Sequence, residues 1–204
     1  MIICFFLLIS IIDFTYCEEI KSPINEYVLK PYNSEYNILI SGHLYGSPDN
    51  PNSVFPSSSI TANIDYLNSL DISFLVSLGD NYRKADNINM RNFINAFAMK
   101  IDYPIFIAVG NHDVSDRVRY NNIFGKTYYD FTYGSELFIF LDTEFDDTKK
   151  IDEQINFLIN VINKIRLKDD IKNVFIFTHK LIWAQIIKDY EIVFLNVNSK
   201  RGYE

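Results

Sequence analysis

Short apolar runs recur along this chain, and each ends on residues suited to binding a metal or moving a proton. Asn37-Ile-Leu-Ile-Ser41 leads to Gly42-His43, and Ser73-Phe-Leu-Val-Ser-Leu78 leads to Gly79-Asp80. Pro104-Ile-Phe-Ile-Ala-Val109 leads to Gly110-Asn111-His112-Asp113, and Asn173-Val-Phe-Ile-Phe177 leads to Thr178-His179. The runs are short and almost continuously apolar, as strands covered on both faces are. Between them lie stretches with helical spacing. Residues 59–70 place Ile60, Ile64, Leu67 and Leu70 on one face, with Ser57 to Ser59 available to cap them. Residues 89–100 place Met90, Phe93, Ile94 and Phe97 inward, and 115–124 reads as a short helix. The rhythm then changes: 127–132 and 136–141 flank Tyr133-Gly134-Ser135 as a hairpin. Residues 151–167 carry Ile151, Ile155, Leu158, Ile159, Ile162 and Ile165 as a long amphipathic helix, and a further strand is expected over 191–197. Strands alternating with helices predict an α/β fold, with a largely parallel sheet and a hairpin giving it mixed character.

A chain of 204 residues is one domain with at most a short appendage, long enough to bury a core without disulfides. Its 48% hydrophobic content excludes intrinsic disorder. A net charge of −7 argues against a nucleic-acid-binding surface, because such affinity comes mostly from Lys and Arg neutralising phosphates. It leaves room for a phosphorylated substrate, since an ion held by acidic residues supplies local positive charge. Ile2 to Ile12 is an apolar run too short to span a bilayer and of the length of a signal peptide's apolar region. Residues 1–17 are therefore expected to be a signal peptide or membrane anchor, and the protein to be exported. Both cysteines, Cys4 and Cys17, lie in that segment, so the remainder holds no internal disulfide or thiolate site. Residues 18–35 read as a polar lead-in, and 36–204 as the folded domain.

In open α/β sheets the carboxyl ends of the strands form the crevice where ligands bind. His43, Asp80, Asn111, His112, Asp113 and His179 all fall there, and they include all three histidines of the chain. Singly, each is ordinary: Gly-Asp and Asn-x-Asp are common turn chemistry, and one histidine after a strand is more often structural than a ligand. Their ordered combination carries the argument.

That order resembles the calcineurin-like metallophosphoesterase family, whose motifs run Asp-x-His, Gly-Asp-x-x-Asp/Asn, Gly-Asn-His-Asp/Glu, a lone His, and Gly-His-x-His. The resemblance covers residues 37 to 180. It implies a layered α/β/β/α sandwich with mixed sheets, and two divalent ions (Mn, Fe or Zn). Asp80 would bridge the two, His43 would bind the first, and Asn111 and His179 the second. His112 would be the catalytic histidine, oriented by Asp113. The implied activity is hydrolysis of phosphate mono- or diesters by a metal-activated water, on a phosphorylated small-molecule, lipid or glycan substrate. The departures are specific. Ser41 stands where the first motif has Asp, and Arg83 stands at the distal position of the second motif, where it could clamp phosphate. No Gly-His-x-His occurs before Glu204, so the last strands of the sandwich are expected to be incomplete. These gaps favour an alternative, a catalytically degenerate relative that binds a phosphorylated ligand, glycan or lipid.

Overall fold

The computed structural model describes residues 19–47, 53–166 and 170–182. The apolar segment over 1–17 and the strand expected over 191–197 lie outside these residues.

The predicted strands form two sheets. Strands β1 (Ile38–Ser41), β2 (Phe74–Ser77) and β3 (Ile105–Ile107) are parallel, in the order β1-β2-β3. Strands β4 (Tyr129–Tyr133), β5 (Glu136–Phe140) and β6 (Asn173–Phe177) form the second sheet, with β4-β5 antiparallel and β5-β6 parallel. The hairpin turn is tighter than expected: Tyr133 pairs with Glu136, leaving Gly134-Ser135 as the loop. Gly134 sits at φ +61°, and a side chain there would collide with the Tyr32 ring.

Alternation along β2 explains the layering. Phe74 and Val76 face the second sheet and pack with Phe106, Phe138, Phe140 and Phe177. Leu75 faces the other way, with Ile105 and Ile107, onto Ile64, Leu67, Met90 and Phe93 of the helices. Those helices are α1 (Ser58–Thr61), α2 (Ile64–Ser69) and α3 (Asn87–Ala96). Helix α4 (Arg117–Phe124) carries the chain from the first sheet to the second. The outer face of the second sheet, Leu137, Ile139 and Leu141, is covered by α5 (Thr148–Ile165) through Phe157, Leu158, Val161 and Ile165. The result is the expected α/β/β/α order.

Several local expectations differ from the structure. The helix predicted over 59–70 is two helices, interrupted at Ala62-Asn63, where the Asn63 amide donates to Ser59 O at 2.7 Å and competes with the helical pattern. Ser57 does not cap it; its hydroxyl pairs with that of Ser59 instead, at 2.6 Å. Helix α3 begins two residues early because Asp86 accepts from the amides of Ile88 and Asn89. On α5, Ile155, Ile159 and Ile162 are exposed rather than inward, because the sheet-facing stripe runs through Leu158, Val161 and Ile165.

The polar lead-in is anchored. Ser22 Oγ donates to Ile105 O at 2.6 Å, and Asn25 Nδ2 donates to Tyr103 O at 3.0 Å. Tyr129 OH accepts from Ile107 N at 2.9 Å and lies 3.1 Å from Ile107 O. Side chains thus satisfy the outward backbone groups of β3, an edge strand among the described residues.

Phe74 is fully buried, and its ring meets those of Tyr36, Phe106, Phe131, Tyr133 and Phe138. Phe74→Ala is expected to cost about 3–5 kcal/mol. Urea denaturation should show a lowered midpoint with an unchanged slope; a loss below about 1 kcal/mol would contradict this account of the core.

Candidate functional site

The parallel strands deliver their following loops to one end of the first sheet, and backbone bonds continue between those loops. His43 N donates to Gly79 O at 2.8 Å, and Tyr45 N donates to Asp80 O at 3.2 Å. His43 and Asp80 hold left-handed backbone, at φ +58° and +57°. Such conformations in residues other than glycine cost energy and concentrate at functional sites.

Asp113 fastens the second loop to the third. Its Oδ2 accepts from Asp80 N at 2.7 Å and from Gly110 N at 2.9 Å. Its Oδ1 accepts from Asn81 N at 2.9 Å and Asn81 Nδ2 at 3.2 Å. Burial pushes this carboxyl up to about 6, while the hydrogen bonds from Gly110 and Asn81 act in the opposite direction. The loops approach so closely that glycine is required. At Gly110 a Cβ would collide with Asp80 Oδ1 and lie 2.8 Å from His179 Cε1. At Gly79, where φ is +89°, it would lie 2.8 Å from His179 Nδ1.

Asp80 is the hub. Its Oδ1 accepts from His112 N at 3.3 Å and lies 3.8 Å from His179 Nε2, and its Oδ2 lies 3.3 Å from His43 Nδ1. The structure therefore brings His43, Asp80, His112 and His179 together. Asn111 sits between Gly110 and His112, both of which approach Asp80.

Tautomers follow from the partners. His179 Nδ1 is 2.6 Å from Leu78 O, and a carbonyl only accepts, so Nδ1 carries hydrogen and Nε2 turns toward Asp80. His112 Nδ1 is likewise 2.6 Å from Arg83 O, leaving Nε2 3.3 Å from Tyr45 OH. The Tyr45 ring lies between the two imidazoles, with centroids 4.3 Å from His43 and 4.7 Å from His112. Burial, with the Asp80 charge behind it, raises the Tyr45 phenol above its usual range; the Arg83 charge acts the other way.

One expected role is corrected here. Asp113 does not orient the His112 ring: its carboxylate is taken up by the amides of Asp80, Asn81 and Gly110, and the ring is held by Arg83 O and Tyr45 OH.

Imidazole nitrogen and carboxylate oxygen without thiolate suit Mn, Fe or Zn in kind. A histidine whose second nitrogen is anchored to a carbonyl is the usual arrangement of a metal ligand. A neutral Nε2 facing a carboxylate is also unfavourable unless a cation lies between them. The number is short, however. Among the described residues no group of three or more His, Cys, Asp and Glu is gathered as a metal ion would need. Asp80 pairs with one histidine on each side. Ser41 Oγ, two residues before His43, is buried and makes no hydrogen bond.

Sequence reasoning missed a second polar group. Asp142, Thr143 and Glu144 follow β5 after one intervening residue, Leu141, so the rule that located the other loops could have found them. Glu144 Oε2 lies 3.1 Å from Lys180 Nζ, both side chains being less than a tenth exposed. Burial raises the Glu144 carboxyl, against the Lys180 ammonium. Asp142 pairs with Arg117 at the start of α4.

No protein-family model matches the chain, and no curated protein matches it. A solved structure similar in fold is the purple acid phosphatase PPD1 from yellow lupin (Lupinus luteus) seeds. The TM-score is 0.40 and the identity 18%, over 62% of this chain and 29% of that one. The chain thus spans less than a third of that protein's length. At that TM-score the likeness assigns no role to any residue of this chain. No helix among the described residues is long and apolar enough to cross a membrane.

Replacing Asp113 by Ala would leave the amides of Asp80, Asn81 and Gly110 buried without an acceptor. At ~1–3 kcal/mol for each such group, a loss of roughly 3 kcal/mol or more is expected in chemical denaturation. A near-neutral Asp113→Ala would refute the role given to this carboxylate.

Proposed function

We propose that the chain is a metal-dependent hydrolase of phosphate mono- or diesters, exported by way of residues 1–17. The observation that supports this is the Asp80 carboxylate, flanked by His43 Nδ1 and His179 Nε2 at the carboxyl ends of parallel strands. On this reading Asp80, His43, His179 and Asn111 would hold the divalent ions. Bound there, the ions would activate water and clamp the attacking and leaving oxygens.

The remaining work falls to the chain's own residues. The His112 ring is held at Nδ1 by Arg83 O, which directs Nε2 outward past Tyr45 OH. Protonated at Nε2, it supplies the proton to the leaving oxygen, a step worth about 10²–10⁴ in rate. Tyr45 OH exchanges hydrogen bonds with the same nitrogen and keeps the ring from rotating. The Arg83 guanidinium binds the non-bridging phosphate oxygens in bidentate fashion. Asp113 holds the two loops at the spacing that places Asp80 under His112.

A second reading, a phospho-ligand-binding protein without turnover, has its own support. It rests on the short ligand set, no three or more His, Cys, Asp and Glu being gathered among the described residues, and on Ser41 at the position where a further carboxylate would serve. One experiment separates the two. The full chain is loaded in turn with Mn, Fe and Zn, bound metal is measured, and hydrolysis of an aryl phosphate is followed. Hydrolysis is expected to be abolished by chelator and by Asp80→Ala. His112→Ala should retain the metal and lose about 10²–10⁴ in kcat. Phosphate binding without turnover in excess metal would decide for the second reading. Hydrolysis indifferent to chelator would end the first.

A further inference from the structure

The loop bearing His179 follows β6, whose backbone pairs with β5 along its whole length but whose side chains bury little. Asn173, Val174, Phe175 and Ile176 are exposed, and only Phe177 of that strand is buried. The His179 ring itself has one close hydrogen bond, to Leu78 O. Yet its Nε2 has to be held in register with Asp80 on a different sheet.

We propose that two ion pairs, Arg117–Asp142 and Glu144–Lys180, joined through the Glu144 backbone, are the positioning device for His179, tying its loop to the loop that carries Asn111 and His112. The connections are continuous. Arg117 stands four residues after Asp113; its Nη1 pairs with Asp142 Oδ2 and its Nη2 donates to Glu144 O at 3.2 Å. The guanidinium lies over the Phe145 ring, 4.3 Å from the centroid. Asp142 Oδ1 accepts from Glu144 N at 2.9 Å, and the Asp142 backbone is held by Gln154 of α5 through bonds of 2.7 and 3.0 Å. Glu144 Oε2 meets Lys180 Nζ at 3.1 Å, and Lys180 N donates to Thr143 Oγ1 at 3.0 Å. Lys180 is the residue after His179.

Stability alone does not account for this arrangement. A buried ion pair is often no more stabilising than apolar residues of the same volume, because both charges lose water. What it adds is direction: each partner accepts only a narrow range of positions of the other. Here both ends of the direction matter. One end is the helix continuing from the Asn111–His112–Asp113 loop, and the other is the neighbour of His179. Glu144, Lys180 and Arg117 are therefore positioning residues.

The test uses the full chain and two readouts, the second of which alone rests on the function proposed above. Histidine ¹⁵N–¹³C correlation spectra report the His179 tautomer without any metal, and electron paramagnetic resonance of free Mn²⁺ reports cation affinity. The unaltered chain is expected to show His179 as a single Nδ1–H tautomer. Glu144→Ala and Lys180→Met are expected to mix the tautomers of His179, leave those of His112 unchanged, and weaken Mn²⁺ binding about 10–100-fold. Glu144→Gln and Lys180→Arg should recover most of both. The paired variant Glu144→Leu with Lys180→Met removes both charges and is expected to fold while its His179 tautomer still mixes, which a purely stabilising pair would not produce. A single tautomer in the folded Lys180→Met and paired variants would overturn the proposal. Should the unaltered chain bind no Mn²⁺, the tautomer spectra alone decide on the positioning device.

Discussion

The buried carboxylate of Asp113 is the constraint on which the site depends. Backbone amides at the ends of β2 and β3 have left the sheet ladder, since Gly79 and Asp80 turn the chain through positive φ. In a dry interior those amides need an acceptor, and Asp113 serves Asp80, Asn81 and Gly110 together. A neutral side chain could not accept from so many donors with comparable strength. The glycines follow from the same compactness. With both loops drawn onto one carboxylate, positions 79 and 110 lie too near neighbouring backbone and the His179 ring for any side chain. The Gly-Asp and Gly-Asn-His-Asp patterns thus record a packing problem as much as a chemical one.

This explains what was legible beforehand. The strands could be read because runs such as 73–78 are apolar on both faces, and loops after parallel strands of one sheet converge at one edge. The placing of His43, Asp80 and His112 near one another followed from that topology, whereas His179 reaches them from the second sheet. The role of Asp113 was not legible. Adjacency to His112 suggested that it would hold that ring, whereas its side chain lies on the backbone of a loop more than 30 residues earlier. Sequence neighbours at a tight turn point in different directions, and pattern reasoning carries no record of which. The break of the 59–70 helix was hidden for a related reason: Asn63 satisfies either role until its amide finds Ser59 O. The stripe of α5 was misjudged because seven isoleucines, leucines and valines of 151–165 cover more of the helix than one sheet can bury.

Charge gives the arrangement its direction. Two histidines in the site, His112 and His179, spend Nδ1 hydrogen on a backbone carbonyl, which leaves Nε2 as the acceptor whenever the ring is neutral. One of these acceptors faces Tyr45 OH, which can donate to it. The other faces the Asp80 carboxylate, which cannot, and His43 approaches that carboxylate from its far side. A lone pair set against an anion is tolerable only with positive charge between them, a proton or a metal ion.

The balance of the whole chain sharpens this. At a net charge of −7 the protein's long-range field attracts cations and repels phosphate esters. Arg83 by itself is a small counterweight beside Asp80 and Asp113. On the proposed reading, an anionic ester enters only after a cation has neutralised Asp80, so the order of binding is cation first and ester second. The site is then governed by how well its histidines are held for the ion, and recognition of the ester is built on that.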